Sequence, residues 1–237
     1  MSNHKRAVIL AGGKGTRLKP YTISLPKPLV PIVDMPVIEI IIRQLKNNNF
    51  HHITLAVNHM SEVIKAYCGD GSKWGIKIDY SQEETPLGTM GPLKNIKDLP
   101  NTFLVLNGDI IADLNYEEFY NSHNTTNSIF TISSYSRMEE VDYGVLETSE
   151  NMLLGFKEKP KINYEVSMGI YMVSKEVLKF IPENQAYGFD QLMLKLLKSK
   201  KKVAVQQHKD YWLDIGRPSD YMIAIDDYES KIKKYIF

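Results

Sequence analysis

Short apolar runs alternate with amphipathic segments through the first half of the chain, and this alternation constrains the fold more than any other sequence feature. Strand-like runs occupy residues 6–11, 53–57, 76–80 and 103–106, and helix-like segments occupy 37–45, 61–67 and 92–96. Strands that alternate with helices form right-handed βαβ units, which build a parallel sheet with helices on both faces. The sequence therefore predicts an α/β fold with a mostly parallel sheet covered by helices.

The second half of the chain has a different pattern. Strand-like runs at 128–134, 143–147, 153–157 and 168–173 are joined by short connections rather than by helices. Helix-like segments follow at 189–197 and 218–230, with further strand-like runs at 203–205 and 211–213. Because short connections favour hairpins, we expect a smaller, partly antiparallel region here. No Pro/Gly/Ser-rich linker separates the two halves, which predicts one domain over residues 1–237.

Charge and cysteine content exclude several classes of protein. The chain carries 29 Lys and Arg against 28 Asp and Glu, a net charge of +1, which gives no electrostatic case for nucleic acid or a membrane surface as the main partner. A single cysteine, Cys68, excludes an internal disulfide and a cysteine-rich metal site. The apolar run at residues 7–11 is too short for a signal peptide, and no run approaches the ~20 apolar residues of a membrane span. We expect a soluble, cytoplasmic protein.

A glycine-rich loop, Ala11–Leu18 (AGGKGTRL), directly follows the first predicted strand. Ligands of α/β sheets bind beyond the carboxyl ends of the strands, and three glycines in four positions let backbone N–H groups face a phosphate. Lys14 and Arg17 add positive charge. The spacing matches neither G-x-G-x-x-G nor the Gly-Lys-Ser/Thr of a Walker loop. By itself, this loop is compatible both with a flexible connection and with a phosphate site of another type.

The loop continues into a proline-rich segment, Pro26–Ile32 (PKPLVPI), which presents Lys27 from a stiff backbone. A fixed lysine near a phosphate-binding loop suits phosphoryl or nucleotidyl transfer. Together, residues 12–32 match G-G-x-G-T-R-L-x-P-x-T-x-x-x-P-K-P-L-x-P-I throughout, including Pro20 and Thr22. In this motif the chain resembles the sugar nucleotidyltransferase family, the sugar-phosphate pyrophosphorylases.

The resemblance implies a Rossmann-like sheet of the nucleotide-diphospho-sugar transferase type. It also implies a Mg²⁺-dependent transfer of a nucleoside monophosphate from an NTP to a sugar 1-phosphate. Residues 1–110 would be the mainly nucleotide-binding half and residues 111–237 the mainly sugar-phosphate-binding half. The implied partners are the NTP and the sugar 1-phosphate, without nucleic acid or a membrane. A homo-oligomer is compatible with the sequence, which does not fix the oligomeric state.

Two aspartates match the metal-binding carboxylates of the family. Asp109 follows the predicted strand at 103–106, and Asp214 lies in the segment Trp212–Gly216 (WLDIG). Mg²⁺ takes oxygen ligands and bridges phosphates, which suits two carboxylates that converge from distant segments. Taken singly, Asp109 would be interpreted as a turn residue and Asp214 as a cap for the following helix.

The resemblance also assigns the remaining site residues. It implies catalytic roles for Arg17 and Lys27. It places the nucleotide against Leu10, Ala11, Gly12, Gly13, Gly15, Thr16, Arg17, Glu83, Pro86, Gly88, Thr89 and Asp109. The sugar phosphate would contact Asn107, Gly144, Glu158, Lys159, Asn163 and Gly169. Lys159 would pair with the phosphate and Glu158 would accept hydrogen bonds from sugar hydroxyls, although without the other motifs both would be interpreted as an exposed charged turn.

The identity of the base depends on one position. Thymidylyl and uridylyl members of the family read the pyrimidine with a glutamine five residues before a glycine, and here the position five residues before Gly88 holds Glu83. An ionised carboxylate accepts hydrogen bonds, which suits the N1–H and N2–H₂ donors of guanine and opposes the acceptors of uracil and thymine. This favours GTP, and the segment resembles the mannose-1-phosphate and heptose-1-phosphate guanylyltransferase branch. A shift of one residue would bring Gln82 to the same place and restore a pyrimidine.

Three functions therefore compete. The first is guanylyl transfer to a mannose-type or manno-heptose-type sugar 1-phosphate. The second keeps the fold but uses UTP, dTTP or CTP, with a glucose-type sugar 1-phosphate or phosphocholine as the acceptor. The third is a non-catalytic nucleotide-sensing subunit. The presence of Arg17, Lys27, Asp109, Lys159 and Asp214 disfavours the third, because a sensor does not need the full set.

Overall fold

A seven-stranded sheet forms the body of the protein in the computed structural model, which describes residues 5–236. Along the chain the strands are β1 (Arg6–Leu10), β2 (Pro31–Ile32), β3 (Met35–Pro36), β4 (His52–Val57), β5 (Lys77–Gln82), β6 (Thr102–Asn107), β7 (Ile110–Ala112), β8 (Phe130–Glu140), β9 (Val145–Ser149), β10 (Met152–Lys157), β11 (Lys161–Ser174), β12 (Val203–His208) and β13 (Trp212–Asp214). The α-helices are α1 (Val37–Asn47), α2 (Ser61–Cys68), α3 (Tyr116–Thr125), α4 (Phe189–Lys198) and α5 (Pro218–Asp227).

The main sheet has the strand order β12-β8-β11-β6-β1-β4-β5. Its pairs are parallel except that β11 runs antiparallel to both β6 and β8. Small antiparallel pairs join β9 to β10, β7 to β13 and β2 to β3. The predicted α/β fold with a mostly parallel sheet and a partly antiparallel second half is confirmed.

The order of the strands creates a crevice at one edge of the sheet. From β1 the chain proceeds to β4 and β5 on one side, and then returns to β6 on the other side of β1. The loops that follow β1 and β6 therefore diverge, which is the arrangement that opens a ligand site in α/β sheets. The Gly108 N–H donates to the Leu10 carbonyl (2.9 Å), so the two strand ends are tied together below the crevice.

Two hydrophobic cores cover the two faces of the sheet, and β1 contributes to both. Ala7 and Ile9 belong to the larger core, which includes the isoleucines of α1, whereas Val8 belongs to the smaller core with Leu192 and Leu196 of α4. Alternate residues of a strand face opposite sides, so this run of apolar residues is buried on both faces. The apolar run that predicts β1 therefore marks the centre of the sheet.

A long antiparallel extension, here called the arm, comprises residues 136–166. It contains the outer parts of β8 and β11 and the β9–β10 hairpin, and the Val141 N–H bonds to the Pro160 carbonyl (3.1 Å) at its end. Large apolar side chains are exposed on it, among them Leu146, Leu154 and Phe156. The arm thus lies outside both hydrophobic cores and extends β8 and β11 beyond the sheet.

The predicted boundaries are wrong mainly in the arm and at one helix. The run predicted at 128–134 is the eleven-residue β8, and the run predicted at 168–173 is the fourteen-residue β11. Their outer parts are exposed, so apolar patterning does not mark them. Helix α3 was not predicted at all. Within residues 5–236, no helix is both long and apolar enough to cross a membrane.

Candidate functional site

A cavity of about 300 Å³ opens in the crevice beyond β1 and β6, and is here called the glycine-loop cavity. Its walls are Leu10, Gly12, Gly13, Glu83, Pro86, Gly88, Thr89, Pro92, Asn107 and Asp109. Most of these residues belong to the set predicted to contact a nucleotide. The structure therefore brings together segments that follow β1, β5 and β6 in the chain.

The glycine-rich loop owes its shape to two close approaches. A Cβ atom on Gly12 would lie 2.9 Å from Oε1 of Glu83, so only glycine fits there without displacing the carboxylate. Gly15 has a φ of +61° and packs against Thr22, whose hydroxyl donates to the Gly15 carbonyl (2.8 Å). Thr22 of the sequence motif thus stabilises the conformation of the loop at Gly15. Ala11, Gly15 and Thr16, which were predicted to contact the nucleotide, do not line the cavity.

Glu83 is a buried carboxyl group in the wall of the glycine-loop cavity, with 7% of its surface exposed. Its Oε2 accepts a hydrogen bond from the Leu87 N–H (2.8 Å), and its Oε1 faces the backbone of Gly12. Burial raises the pKa of Glu83, and the bond from Leu87 partly opposes this. Neighbouring Gln82 is exposed and does not line the cavity. The register of the segment therefore directs Glu83, and not Gln82, to the wall.

The segment that follows Glu83 is fixed by backbone hydrogen bonds to a distant turn. The Tyr187 N–H donates to the Leu87 carbonyl, and the Tyr187 carbonyl accepts from Met90 N–H (both 2.9 Å). Gly88 has a φ of +75°, and a Cβ there would lie 2.9 Å from the Tyr187 carbonyl oxygen. The Thr89 hydroxyl oxygen accepts a hydrogen bond from the Phe189 N–H (2.9 Å). This side of the cavity is therefore preformed.

Charged residues meet where the glycine-loop cavity borders its neighbour. Lys27 forms an ion pair with Oδ2 of Asp109, while Oδ1 of Asp109 is buried and has no hydrogen-bond partner among the described residues. The Ile215 N–H donates to the Asp109 carbonyl (2.9 Å), which brings Asp214 beside Asp109. Burial raises the pKa of Asp214, and Asp109 raises it further, whereas Lys27 and Arg17 lower it. Two carboxylates with one unsatisfied oxygen suit a hard cation.

A second cavity of about 420 Å³ adjoins the first through Asn107, which lines both, and is here called the arginine cavity. Its lining is Arg17, Asn107, Ile110, Arg137, Tyr164, Val166, Ser167, Met168, Gly169, Tyr171, Trp212, Asp214, Gly216, Arg217 and Asp220. Gly169 has a φ of +74° and lies against the side chain of Asn107, at an irregularity in the pairing of β11 with β8. Asn107 and Gly169, predicted for the sugar phosphate, are thus in one wall.

Several predicted residues lie outside both cavities. Gly144, Glu158, Lys159 and Asn163 are exposed on the arm and contribute to neither lining. Gly144 contacts the Phe156 ring, and a Cβ there would lie 3.2 Å from Oε2 of Glu158. The structure therefore groups Gly144 with Glu158 but separates them from the cavity walls. Their predicted contacts with the sugar phosphate remain predictions.

Sequence reasoning missed four prominent residues of the arginine cavity: Arg137, Tyr164, Trp212 and Arg217. Trp212 was noted only as part of the motif around Asp214. The signal that could have found the arginines is their scarcity, because five of the 29 basic residues are arginine. The pairing of β8 with β11, which places Arg137 opposite Tyr164, was not evident from the sequence.

A separate polar group lies near the end of the described chain. Ligand atoms of Asp113, His208 and Asp210 lie within 4.8 Å of one another. Nε2 of His208 is 2.7 Å from Oδ1 of Asp113, and the Tyr235 hydroxyl donates to Oδ2 of Asp113 (2.7 Å). Both carboxylate oxygens of Asp113 therefore have hydrogen-bond partners, and these bonds connect the C-terminal segment around Tyr235 to the loop after β7.

Comparisons with known proteins agree with the geometry. The family model described as nucleotidyl transferase matches residues 6–231. The UTP–glucose-1-phosphate uridylyltransferase of Synechocystis sp. is 35% identical over 241 residues, which cover 93% of this chain and 62% of that protein. The probable mannose-1-phosphate guanylyltransferase 3 of Oryza sativa subsp. japonica is 34% identical over 239 residues, which cover 97% of this chain and 66% of that protein. The chain thus spans slightly less than two thirds of the length of these curated relatives.

A solved structure is similar over nearly its whole length. HddC from Yersinia pseudotuberculosis superposes with a TM-score of 0.73 at 28% identity, covering 94% of this chain and 99% of that one. HddC has also been solved in complex with GMP-PN. The structural similarity therefore extends over nearly the whole of both chains.

Proposed function

The chain belongs to the nucleotidyl transferase family, and on this basis we propose that it transfers a guanylyl group from GTP to a sugar 1-phosphate and releases pyrophosphate. The observation that carries the proposal is the shared wall of the two cavities. Asn107 lines both, with Gly12, Gly13 and Glu83 on one side and Arg17 and Asp214 on the other. A triphosphate in the first cavity and an acceptor in the second would therefore meet at this wall.

The reaction needs positioning more than proton transfer. An oxygen of the acceptor phosphate attacks the α-phosphorus of GTP, a new P–O bond forms, and the bond to the β-phosphate breaks as pyrophosphate leaves. The second pKa of a phosphate monoester is about 6, so the nucleophile is already largely ionised at neutral pH and no general base is required. Catalysis then consists of aligning the two phosphates and neutralising their charge. Arg17 would hold the departing pyrophosphate and Lys27 the α-phosphate.

Asp109 and Asp214 would hold Mg²⁺. The buried Oδ1 of Asp109, which lacks a hydrogen-bond partner among the described residues, fits a cation ligand, and Asp214 lies beside it. When bound, Mg²⁺ supplies positive charge that offsets the charge on the phosphates. Lys27 supplies a further positive charge besides that of Mg²⁺, because its ion pair with Asp109 keeps its ammonium group at the same wall.

Glu83 supports guanine as the base. Its Oε2 accepts from Leu87 N–H, and further lone pairs of the carboxylate are available to the N1–H and N2–H₂ donors of guanine. The name of the Oryza relative and the GMP-PN complex of HddC point the same way. Uridylyl transfer is the second candidate, favoured by the 35% identity to the Synechocystis protein. It would require Glu83 to be protonated, so that it donates to a carbonyl of uracil.

The test is pyrophosphate release from GTP, UTP, dTTP, CTP and ATP, each with mannose, heptose, glucose and N-acetylhexosamine 1-phosphates and with phosphocholine, with and without Mg²⁺. We expect Mg²⁺-dependent turnover with GTP. Glu83→Gln should lower kcat/KM for GTP by about 10-fold or more, the size expected for loss of a paired base contact. Gln82→Ala is the matched control, and we expect it to leave the preference for GTP unchanged.

Three outcomes would contradict parts of the proposal. Turnover with UTP or dTTP alone would retain nucleotidyl transfer but overturn guanine as the base. A loss of GTP preference in Gln82→Ala, with Glu83→Gln unaffected, would transfer base reading to Gln82. Triphosphate binding without turnover across all pairs would favour a nucleotide-sensing subunit.

A further inference from the structure

The arginines of this chain are distributed unevenly. Of the five, Arg6 forms an ion pair with Asp79 (3.1 Å) and Arg43 one with Glu39 (2.8 Å). The remaining three, Arg17, Arg137 and Arg217, all line the arginine cavity. In the described part of the chain, none of these three guanidinium groups has a carboxylate oxygen within 4.0 Å. Arginine is the side chain best suited to bind a phosphate through two parallel hydrogen bonds.

Arg137 is held in place by an aromatic ring and not by a counter-ion. Its guanidinium carbon lies 5.0 Å from the ring centroid of Trp212, which is a cation–π arrangement. Trp212 is itself fixed, because its indole N–H donates to the Met168 carbonyl (3.1 Å) and its ring packs against Tyr135 at 5.3 Å. The contact orients the guanidinium while its N–H donors have no hydrogen-bond acceptor among residues 5–236.

Arg217 lies at the start of α5, where the backbone donors are already occupied. Oδ2 of Asp220 accepts from the N–H groups of Gly216 (3.2 Å) and Arg217 (2.8 Å). An anion in the cavity would therefore meet the side chain of Arg217 and not these two donors. Gly216 also brings Arg17 close, since a Cβ at Gly216 would lie 3.6 Å from Nη2 of Arg17 and 3.7 Å from Oδ1 of Asp214.

From this geometry we infer that Arg137 and Arg217 bind the phosphate of the acceptor, so that the arginine cavity selects organic phosphate monoesters. The inference rests on the proposed function, and adds to it residues that the sequence motifs did not identify. The cavity also contains the carboxylates of Asp214 and Asp220, which would repel a dianion unless guanidinium groups offset them. Lys159 lies outside this cavity, at an exposed turn of the arm.

The experiment measures steady-state constants for Arg137→Gln and Arg217→Gln, with Lys198→Gln as the matched control of one lost charge, because Lys198 is exposed at the end of α4 and lines neither cavity. With GTP saturating, each arginine variant should raise KM for mannose 1-phosphate by about 10-fold or more, the effect of losing one charge-assisted hydrogen bond. KM for GTP should stay within about twofold of the parent. Arg217→Lys should recover part of the loss, because lysine keeps the charge but not the paired donors.

Several results would overturn the inference. An acceptor KM within about twofold of the parent in both arginine variants would do so, as would a fall in kcat alone. An equal rise in KM for GTP and for the acceptor would assign the arginines to the triphosphate. The side chains are exposed, so we expect all variants to fold, and thermal melting checks this.

A binding measurement separates this inference from the proposed function. Mannose 1-phosphate is titrated calorimetrically into the parent and the variants, with and without a non-hydrolysable GTP analogue. If the parent releases no pyrophosphate with any substrate pair, the proposed function fails, but weaker binding in Arg137→Gln and Arg217→Gln still supports the anion site. Binding that is unchanged in these variants, or absent from the parent under both conditions, overturns it.

Discussion

Gly169 is the residue whose substitution tests the geometry of the shared wall most directly. A Cβ atom there would lie 2.5 Å from Cδ1 of Ile110 and 2.6 Å from Nδ2 of Asn107, and the backbone has a φ of +74°. A positive φ costs a residue other than glycine about 1–2 kcal/mol, and forcing an extra methyl group into a packed wall costs about 1–3 kcal/mol. Gly169→Ala should therefore lower the free energy of unfolding by about 2–5 kcal/mol.

Gly75→Ala separates the two contributions. Gly75 has a similar φ of +70°, but the nearest atom to its Cβ position is Nζ of Lys46, at 3.8 Å and at the end of a flexible side chain. This variant should lose only the backbone contribution, about 1–2 kcal/mol. Urea denaturation of both variants under the same conditions measures the difference. Equal losses, within about 0.5 kcal/mol, would refute the claim that the wall is closed around Gly169.

The functional consequence follows from the position of Asn107. Because Asn107 lines both cavities, the shift that Gly169→Ala forces on its side chain would change both cavities at once. We expect kcat/KM to fall for GTP and for the acceptor. Unchanged kinetics with reduced stability would mean that Ile110, and not Asn107, moves to accommodate the methyl group.

Two further predictions concern charge. Asp109→Asn should fold normally and lower turnover by about 100-fold or more, because a preorganised electrostatic contact is lost. The control is Asp98→Asn, at an exposed position, which should change neither folding nor turnover. Near-normal turnover of Asp109→Asn would exclude Asp109 from the metal site. His123 is buried between Thr131 and Ser174, and burial lowers its pKa to about 4 from 6.5. As the pH falls below 6.5, His123 is therefore protonated in the unfolded chain before it is protonated in the folded protein, which destabilises the fold. Between about pH 7.5 and about pH 5, the free energy of unfolding should fall by about 2 kcal/mol more in the parent protein than in His123→Gln. Urea denaturation at both pH values checks this, and parallel losses would contradict it.

Most of the lining of the glycine-loop cavity could be predicted from the sequence because these residues lie in contiguous segments. The glycine-rich loop follows β1 directly, and Asn107 and Asp109 follow β6, so the location of two strands was sufficient. The lining of the arginine cavity depends on tertiary structure. Arg137 and Arg217 lie 80 positions apart and line the same cavity only because β8 pairs with the reversed β11, while β13 pairs with β7.

Helix α3 was missed although its signals are local. Oδ1 of Asn115 accepts from the Glu118 N–H (2.9 Å), which is an ordinary helix start. Tyr116, Phe119 and His123 are buried at helical spacing. The many polar residues between them concealed this pattern. The sequence therefore contains the signals for α3, but its buried positions are mostly aromatic and do not form an apolar run.

The reversed direction of β11 separates the parts of the molecule that could diverge during evolution from the buried parallel strands that could not. Because β11 is antiparallel to β6 and β8, its exposed N-terminal half lies at the edge of the sheet where the crevice opens. Its buried C-terminal half follows and pairs within the sheet. Changes in the outer parts of β8 and β11 would therefore remodel the wall of the arginine cavity that contains Arg137 and Tyr164, without shifting the register of β1, β4 or β6. Exposed hairpins tolerate such changes, whereas buried parallel strands do not. A single scaffold could in this way keep the glycine-loop cavity unchanged while the arginine cavity varies.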